Sequence, residues 1–166
     1  MLNALWILLP IFGWFALMGY TIRIVNEFLE GKFEQLPTMQ FGSDMKLGFM
    51  MFLKALPFAI VYMIVLGVVG IISYDLSQIM NFLFSCFVIP LLGVNFMKKQ
   101  TVEAYFEFGV LTAMKENLGD YIVMILKTYA LAIIFGLMIL VLVGFPALMF
   151  TSSIFIADFY RRYVKG

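Results

Sequence analysis

Two charged residues in the apolar second half of the chain are the candidates for chemistry. The first, Lys127, lies in a run that predicts a transmembrane helix, about 10 Å beyond Asp120 at about 1.5 Å per residue. A charge inside a membrane is costly and often functional, but a lysine near the edge can extend its ammonium group to the interface. Both interpretations of Lys127, a functional charge and a snorkelling side chain, stay open.

Asp158 is the second candidate, and it precedes Arg161 and Arg162 by three and four residues. This spacing puts the three side chains on one face of a helix, so a local ion pair at the inner membrane interface would account for the carboxylate. A functional role for Asp158 is the alternative.

Other residues that carry enzyme chemistry are scarce. The sequence contains no histidine, which is the commonest general base and metal ligand. It has no phosphate-binding glycine loop, and its one cysteine, Cys86, lies in an apolar run where an inert thiol is expected. We therefore expect no enzymatic activity, no catalytic or metal-binding residue and no cofactor.

The composition is that of a membrane protein. The 166 residues are 64% hydrophobic and 13% charged, and their mean hydropathy is +1.03. A soluble domain is about half apolar and about a quarter charged, so this chain has too little polar surface to cover a globule in water. The net charge of +1 gives no argument for nucleic acid. We predict an all-α, multi-pass protein of the cell membrane with the lipid bilayer as its surroundings.

The first predicted element is a transmembrane helix over about residues 2–25. The run from Leu2 to Ile22 is uncharged and long enough to span about 30 Å of hydrocarbon. A cleaved signal peptide is the rival interpretation, but it would need a basic start and a small-residue cleavage site. Trp6 and Trp14 fit the interfacial anchors of a retained helix better.

Two amphipathic helices are expected to lie in the membrane interface, over residues 43–56 and 101–118. The first would bend into the bilayer at Pro57, although one long tilted helix is the alternative. The second has apolar residues at helical spacing from Val102 to Ala113, but the pattern is imperfect because Phe108 and Leu111 lie off that face.

Four more transmembrane helices complete a single membrane domain, 1–166. Helices 2 and 3 cover about 55–97, and helices 4 and 5 cover about 120–162 with a turn at Gly144-Phe145-Pro146. One long kinked helix is the alternative for the last two. Five spans would place the Lys and Arg residues on or near one side, so the positive-inside rule favours five spans, an outer N-terminus and a cytoplasmic C-terminus over four spans.

One stretch of the sequence resembles a known family. The segment GYTIRIVNEFLEGKFEQLPTMQFGSDMKLGFMMFLKALP, from Gly19 to Pro57, is similar to the signature of an uncharacterised family of prokaryotic integral membrane proteins. The later runs KENLGDYIVMIL and IADFYRRY also resemble that family, although Asn26 and Glu27 make this copy less basic than the signature. The resemblance implies a prokaryotic membrane architecture and no catalytic or binding residue.

Small residues on the predicted helices are the features that bear on function. Small residues let membrane helices approach closely, and Gly67, Gly70 and Gly93 are the candidates for such packing. We expect an accessory, scaffold or interaction protein, of a regulatory or immunity-like kind, that packs with another membrane protein or with itself. A transporter or channel component is the alternative, although few polar side chains are available to line an aqueous path.

Overall fold

The computed structural model describes residues 5–32, 37–138 and 153–164, and in these ranges the chain is helical without a β-strand. This agrees with the predicted all-α class. The helices are α1 Leu5–Leu29, α2 Phe41–Ile72, α3 Tyr74–Leu83, α4 Ile89–Lys99, α5 Leu111–Glu116, α6 Leu118–Met138 and α7 Ile154–Tyr163.

Three continuous helical stretches are long and apolar enough to cross a membrane. They are Phe41–Ile72, Tyr74–Lys99 and Leu118–Leu137. The chain therefore has the features of a membrane protein, whereas five spans and the orientation of the termini stay predictions. The turn predicted at Gly144–Pro146 lies outside the described residues, and α7 covers the end of the predicted helix 5.

The boundary predicted between an interfacial helix and helix 2 is absent. The backbone runs as one α-helix through Pro57, so residues 43–56 begin the same element that continues to Ile72. Proline removes only one backbone donor from a helix, and a long helix can tolerate that loss when its neighbours are satisfied. The chain then reverses at Ser73, which is extended and whose hydroxyl accepts a hydrogen bond from the Leu76 N–H.

Pro90 changes the helix that precedes it. A π-helical turn, Phe84–Val88, joins α3 to α4, and the Ile89 N–H bonds to the Phe84 carbonyl five residues earlier. Proline lacks an N–H and its ring crowds the carbonyl four residues before it, so a wider turn at this point relieves that conflict. The helix thus has a local π-helical turn just before Pro90.

The second amphipathic helix, predicted over 101–118, is broken into three pieces. Two 3-10 turns, Glu103–Phe106 and Phe108–Val110, precede the short α5. Glu107 separates the turns with a non-helical conformation, φ −81° and ψ 76°. The imperfect apolar face of this segment is consistent with the break, because no single helical stripe could bury all its large side chains.

The core lies where the ends of several helices meet. The buried residues of the larger cluster come from α1, α4, α5, α6 and α7, and include Val25, Leu91, Tyr121 and Phe159. A smaller cluster of Ile22, Met51, Phe96 and Ala104 joins α1, α2 and α4. The hairpin of α2 and α3 extends away from this core, and Ile71 at its tip is 87% exposed.

Candidate functional site

Both candidate charges lie in one open groove between α6 and α7, with a volume of about 80 Å³. α6 supplies Lys127 and α7 supplies Asp158, so the tertiary structure brings together two residues that the sequence only places on separate helices. The groove is lined by Asp120, Val123, Met124, Lys127, Phe155, Asp158, Phe159, Arg162 and Tyr163.

Lys127 is exposed and forms no salt bridge with a carboxylate in the part of the chain that the structure describes. The other charged residues that line the groove each have an ion-pair or hydrogen-bond partner. Asp158 pairs with Arg161, at 3.0 Å, and with Arg162. Its predicted ion pair at three- and four-residue spacing is therefore confirmed. Asp120 accepts a hydrogen bond from the Tyr163 hydroxyl.

A second polar centre surrounds the fully buried Asn95 of α4. Its amide donates to the Ala104 carbonyl at 2.7 Å and to the Glu107 carboxylate at 3.0 Å, and its oxygen accepts from the Tyr160 hydroxyl. The Lys99 ammonium is 2.5 Å from the same carboxylate. Hydrogen bonds from Lys99 and Asn95 lower the pKa of Glu107 below its usual value. This network connects α4, α7 and the broken 101–118 segment.

A third polar centre joins α1 to the start of α2. The Arg23 guanidinium is 2.8 Å from the carboxylate of Asp44, whose side chain is fully buried. Arg23 also donates to the Thr38 carbonyl, and the second Asp44 oxygen accepts from the Gln40 N–H. Because a buried charge needs a partner and hydrogen bonds, this arrangement fixes the two helices relative to each other.

The glycines that bring helices together are different from those predicted. A Cβ added to Gly67 or Gly93 would meet no described atom within 4 Å, and one on Gly70 would only contact Ser77 at ordinary distance. Their packing against a partner stays a prediction. Gly19 and Gly48 instead lie where α1 and α2 touch, and a Cβ on either would overlap the backbone of the other helix.

The described residues contain no group of three or more His, Cys, Asp or Glu side chains that could hold a metal ion. A family model described as "Protein of unknown function (DUF4013)" matches residues 2–144, most of the chain. The chain belongs to this family. The prediction of a family of unknown function is confirmed, while the signature assigned to Gly19–Pro57 stays a prediction.

Searches of curated proteins and of solved structures found no match to the chain. The family match includes Lys127 of the groove but ends before α7, so Asp158 lies outside it. Membership in DUF4013 therefore assigns no activity to the groove.

Sequence reasoning missed the Arg23–Asp44 pair, the Asn95 centre and the two contact glycines. A signal was present for some of them, since Gly19, Arg23, Asp44 and Gly48 all lie in the segment that carried the family resemblance. Asp44 had an ordinary explanation as an acidic residue in the first turn of a helix, a position that it does occupy. Nothing in its local sequence indicates that its side chain is buried.

Proposed function

We propose that this chain is an integral membrane accessory or interaction protein of the cell membrane, which packs through α2 and α3 against another membrane protein or a second copy of itself. The observation that carries the proposal is the exposure of this hairpin. No residue in the most apolar 18-residue stretch of α2 is buried, and α3 has no buried residue.

The hairpin has a structure of its own, which makes it suited to present a fixed surface. The Tyr62 hydroxyl donates to the Asn81 side chain at 2.8 Å, and the Ser77 hydroxyl donates to the Leu66 carbonyl at 3.1 Å. These bonds use the polar groups between α2 and α3 and leave apolar surfaces outward. Apolar helix faces in a bilayer associate by close packing, so small residues such as Gly67 favour a partner helix there.

Transport is the second candidate function, and Lys127 and Asp158 favour it because they line the same groove. The π-helical turn before Pro90 gives transport less support, although interrupted helices can expose backbone groups to a ligand. The Phe87 carbonyl within it accepts a hydrogen bond of 2.6 Å from the Tyr121 hydroxyl, so this backbone group is already occupied. A transporter should lose substrate flux in reconstituted vesicles when Lys127→Met is introduced.

The test of the interaction proposal is affinity purification of the tagged chain from its own host into nanodiscs, followed by mass spectrometry and size determination. A stoichiometric membrane protein, or a homo-oligomer, is the expected result. Gly67→Leu should reduce the amount of that species, because the added side chain would separate a helix packed against this position.

Ala130→Leu is the matched control, since Ala130 is also a small exposed residue on an apolar helix. It should leave the assembly unchanged. A monomer without a partner in the nanodiscs would refute the interaction proposal. An assembly that Gly67→Leu and Ala130→Leu affect equally would refute the assignment of its surface to the hairpin.

A further inference from the structure

One cation in the groove between α6 and α7 is not matched by a nearby carboxylate among the described residues. The lining holds two cations, Lys127 and Arg162, and two carboxylates, Asp120 and Asp158, so its formal charges balance. Arg161, outside the lining, also pairs with Asp158. Asp158 is already shared between the two arginines. Lys127 is the cation on the opposite wall, with no described carboxylate in salt-bridge distance.

Lys127 lies at a position where the lack of a counter-charge is costly. It lies near the middle of the apolar stretch Leu118–Leu137, where an uncompensated ammonium group is costly in hydrocarbon. Asp120 and Tyr163 line the same groove nearer the beginning of α6. The groove therefore leads from a polar end toward an exposed cation within an apolar helix, and an anion that entered it would compensate the lysine.

The apolar side chains that line the groove indicate which kind of anion would bind there. Val123, Met124 and Phe155 line the groove beside Lys127, and a small hydrated anion would gain nothing from these apolar side chains. A molecule with a phosphate group and acyl chains would match both parts, with its phosphate at the ammonium and its chains along the helices. A zwitterionic headgroup fits less well, because its ammonium would lie near the Lys127 ammonium and Asp158 is already paired twice.

We propose that the α6–α7 groove binds the headgroup of an anionic phospholipid, with Lys127 as its phosphate-binding residue. This site is independent of the hairpin surface proposed for protein partners. The lipid would hold α6 and α7 together from the bilayer side, since it contacts side chains of both helices.

The experiment is native mass spectrometry of the purified full chain, titrated with phosphatidylglycerol or with phosphatidylcholine of the same acyl composition. We expect the wild type to retain one phosphatidylglycerol in clear preference to phosphatidylcholine. Lys127→Met should weaken phosphatidylglycerol retention by about fivefold or more, the factor expected for one lysine at a lipid headgroup, whereas Lys127→Arg should preserve it.

Two further variants keep the result interpretable. Lys115→Met removes an exposed lysine of α5 that is outside the groove lining, and it should retain lipid like the wild type. Val123→Trp keeps every charge but fills the groove, so it should lose the lipid as Lys127→Met does. It also tests the site if the lysine variant fails to fold.

Three results would overturn the lipid site. The first is equal retention of phosphatidylglycerol and phosphatidylcholine by the wild type. The second is an equal effect of Lys127→Met and Lys115→Met, which would indicate a general response to surface charge. The third is displacement of the lipid by inorganic phosphate at a similar concentration, which would mean that the groove recognises phosphate without the acyl chains.

Discussion

Gly19 and Gly48 face each other where α1 crosses α2, and neither position has room for a side chain. A Cβ on Gly19 would lie 1.8 Å from the Asp44 carbonyl oxygen, and one on Gly48 would lie 1.9 Å from the Phe15 carbonyl oxygen. The two helix backbones are therefore in direct contact. Such an approach depends on glycine, as it does in membrane helix pairs that have small residues at the crossing.

The glycine contact predicts that Gly48→Ala destabilises the protein. The methyl group would overlap backbone atoms that cannot move independently of their helix, so α1 and α2 must separate, at a cost of about 1–3 kcal/mol. We expect a lower unfolding midpoint in detergent, followed by tryptophan fluorescence. Gly136→Ala is the control, because its methyl group would meet no described atom within 4 Å and alanine favours a helix over glycine. Equal midpoints for the two variants would contradict the close crossing.

The ion pair of Arg23 and Asp44 predicts a specific pattern in double variants. Arg23→Leu would leave a fully buried carboxylate without its cation, at a cost of about 3 kcal/mol. Adding Asp44→Asn should recover part of that loss, because the amide carries no charge and its oxygen can still accept from the Gln40 N–H. The measurement is the free energy of unfolding of both single variants and the double variant.

Removal of a positive charge from the exposed surface of α2 provides the control for the Arg23 variants. Lys46 is exposed, and Lys46→Leu should change the free energy of unfolding little. A double variant that is less stable than Arg23→Leu would show that the unpaired Asp44 charge is not the origin of the loss.

The hydrogen bonds to Glu107 predict that part of the stability depends on pH. Lys99 and Asn95 lower the pKa of Glu107 from 4.5 in the folded protein. The carboxylate therefore stabilises the fold at pH above 4.5, and this contribution is lost as the pH falls from 4.5 through the lower folded value.

Glu107→Gln isolates this contribution, since glutamine does not titrate. The wild type should be more stable than the variant near neutral pH, and the difference in unfolding midpoint should shrink as acid protonates Glu107. Midpoints measured from about pH 7 to about pH 3 would cover the transition. A difference that stays constant, or that grows with acid, would contradict the assigned hydrogen bonds.

Local sequence chemistry accounts for some features of the helices and not for others. Gly31 adopts a positive φ of 82° just after α1, as expected of a glycine that ends a helix. Pro90 is accompanied by an irregular turn, as its missing donor predicts. The helix continues through Pro57, as the long-helix alternative has it, because proline is only one unfavourable contribution against a long apolar element that remains hydrogen-bonded on both sides. A bend at Pro57 stays a prediction.

The sites were less predictable than the helices. Lys127 and Asp158 were identifiable because an isolated charge in an apolar run is visible in the sequence. Their common groove was not, since it depends on how α6 and α7 are rotated toward each other. The burial of Asn95 was hidden for the same reason, because its partners come from residues 104, 107 and 160.

The sequence by itself determined the apolar character of the chain, because hydropathy accumulates residue by residue. It also determined the helical content, and it provided no histidine for catalysis. The tertiary structure decided which small and charged residues meet. Gly67 and Gly48 have the same local character, yet only Gly48 lies at a helix crossing. That difference comes from long-range packing, in which the crossing and rotation of whole helices select the contacts.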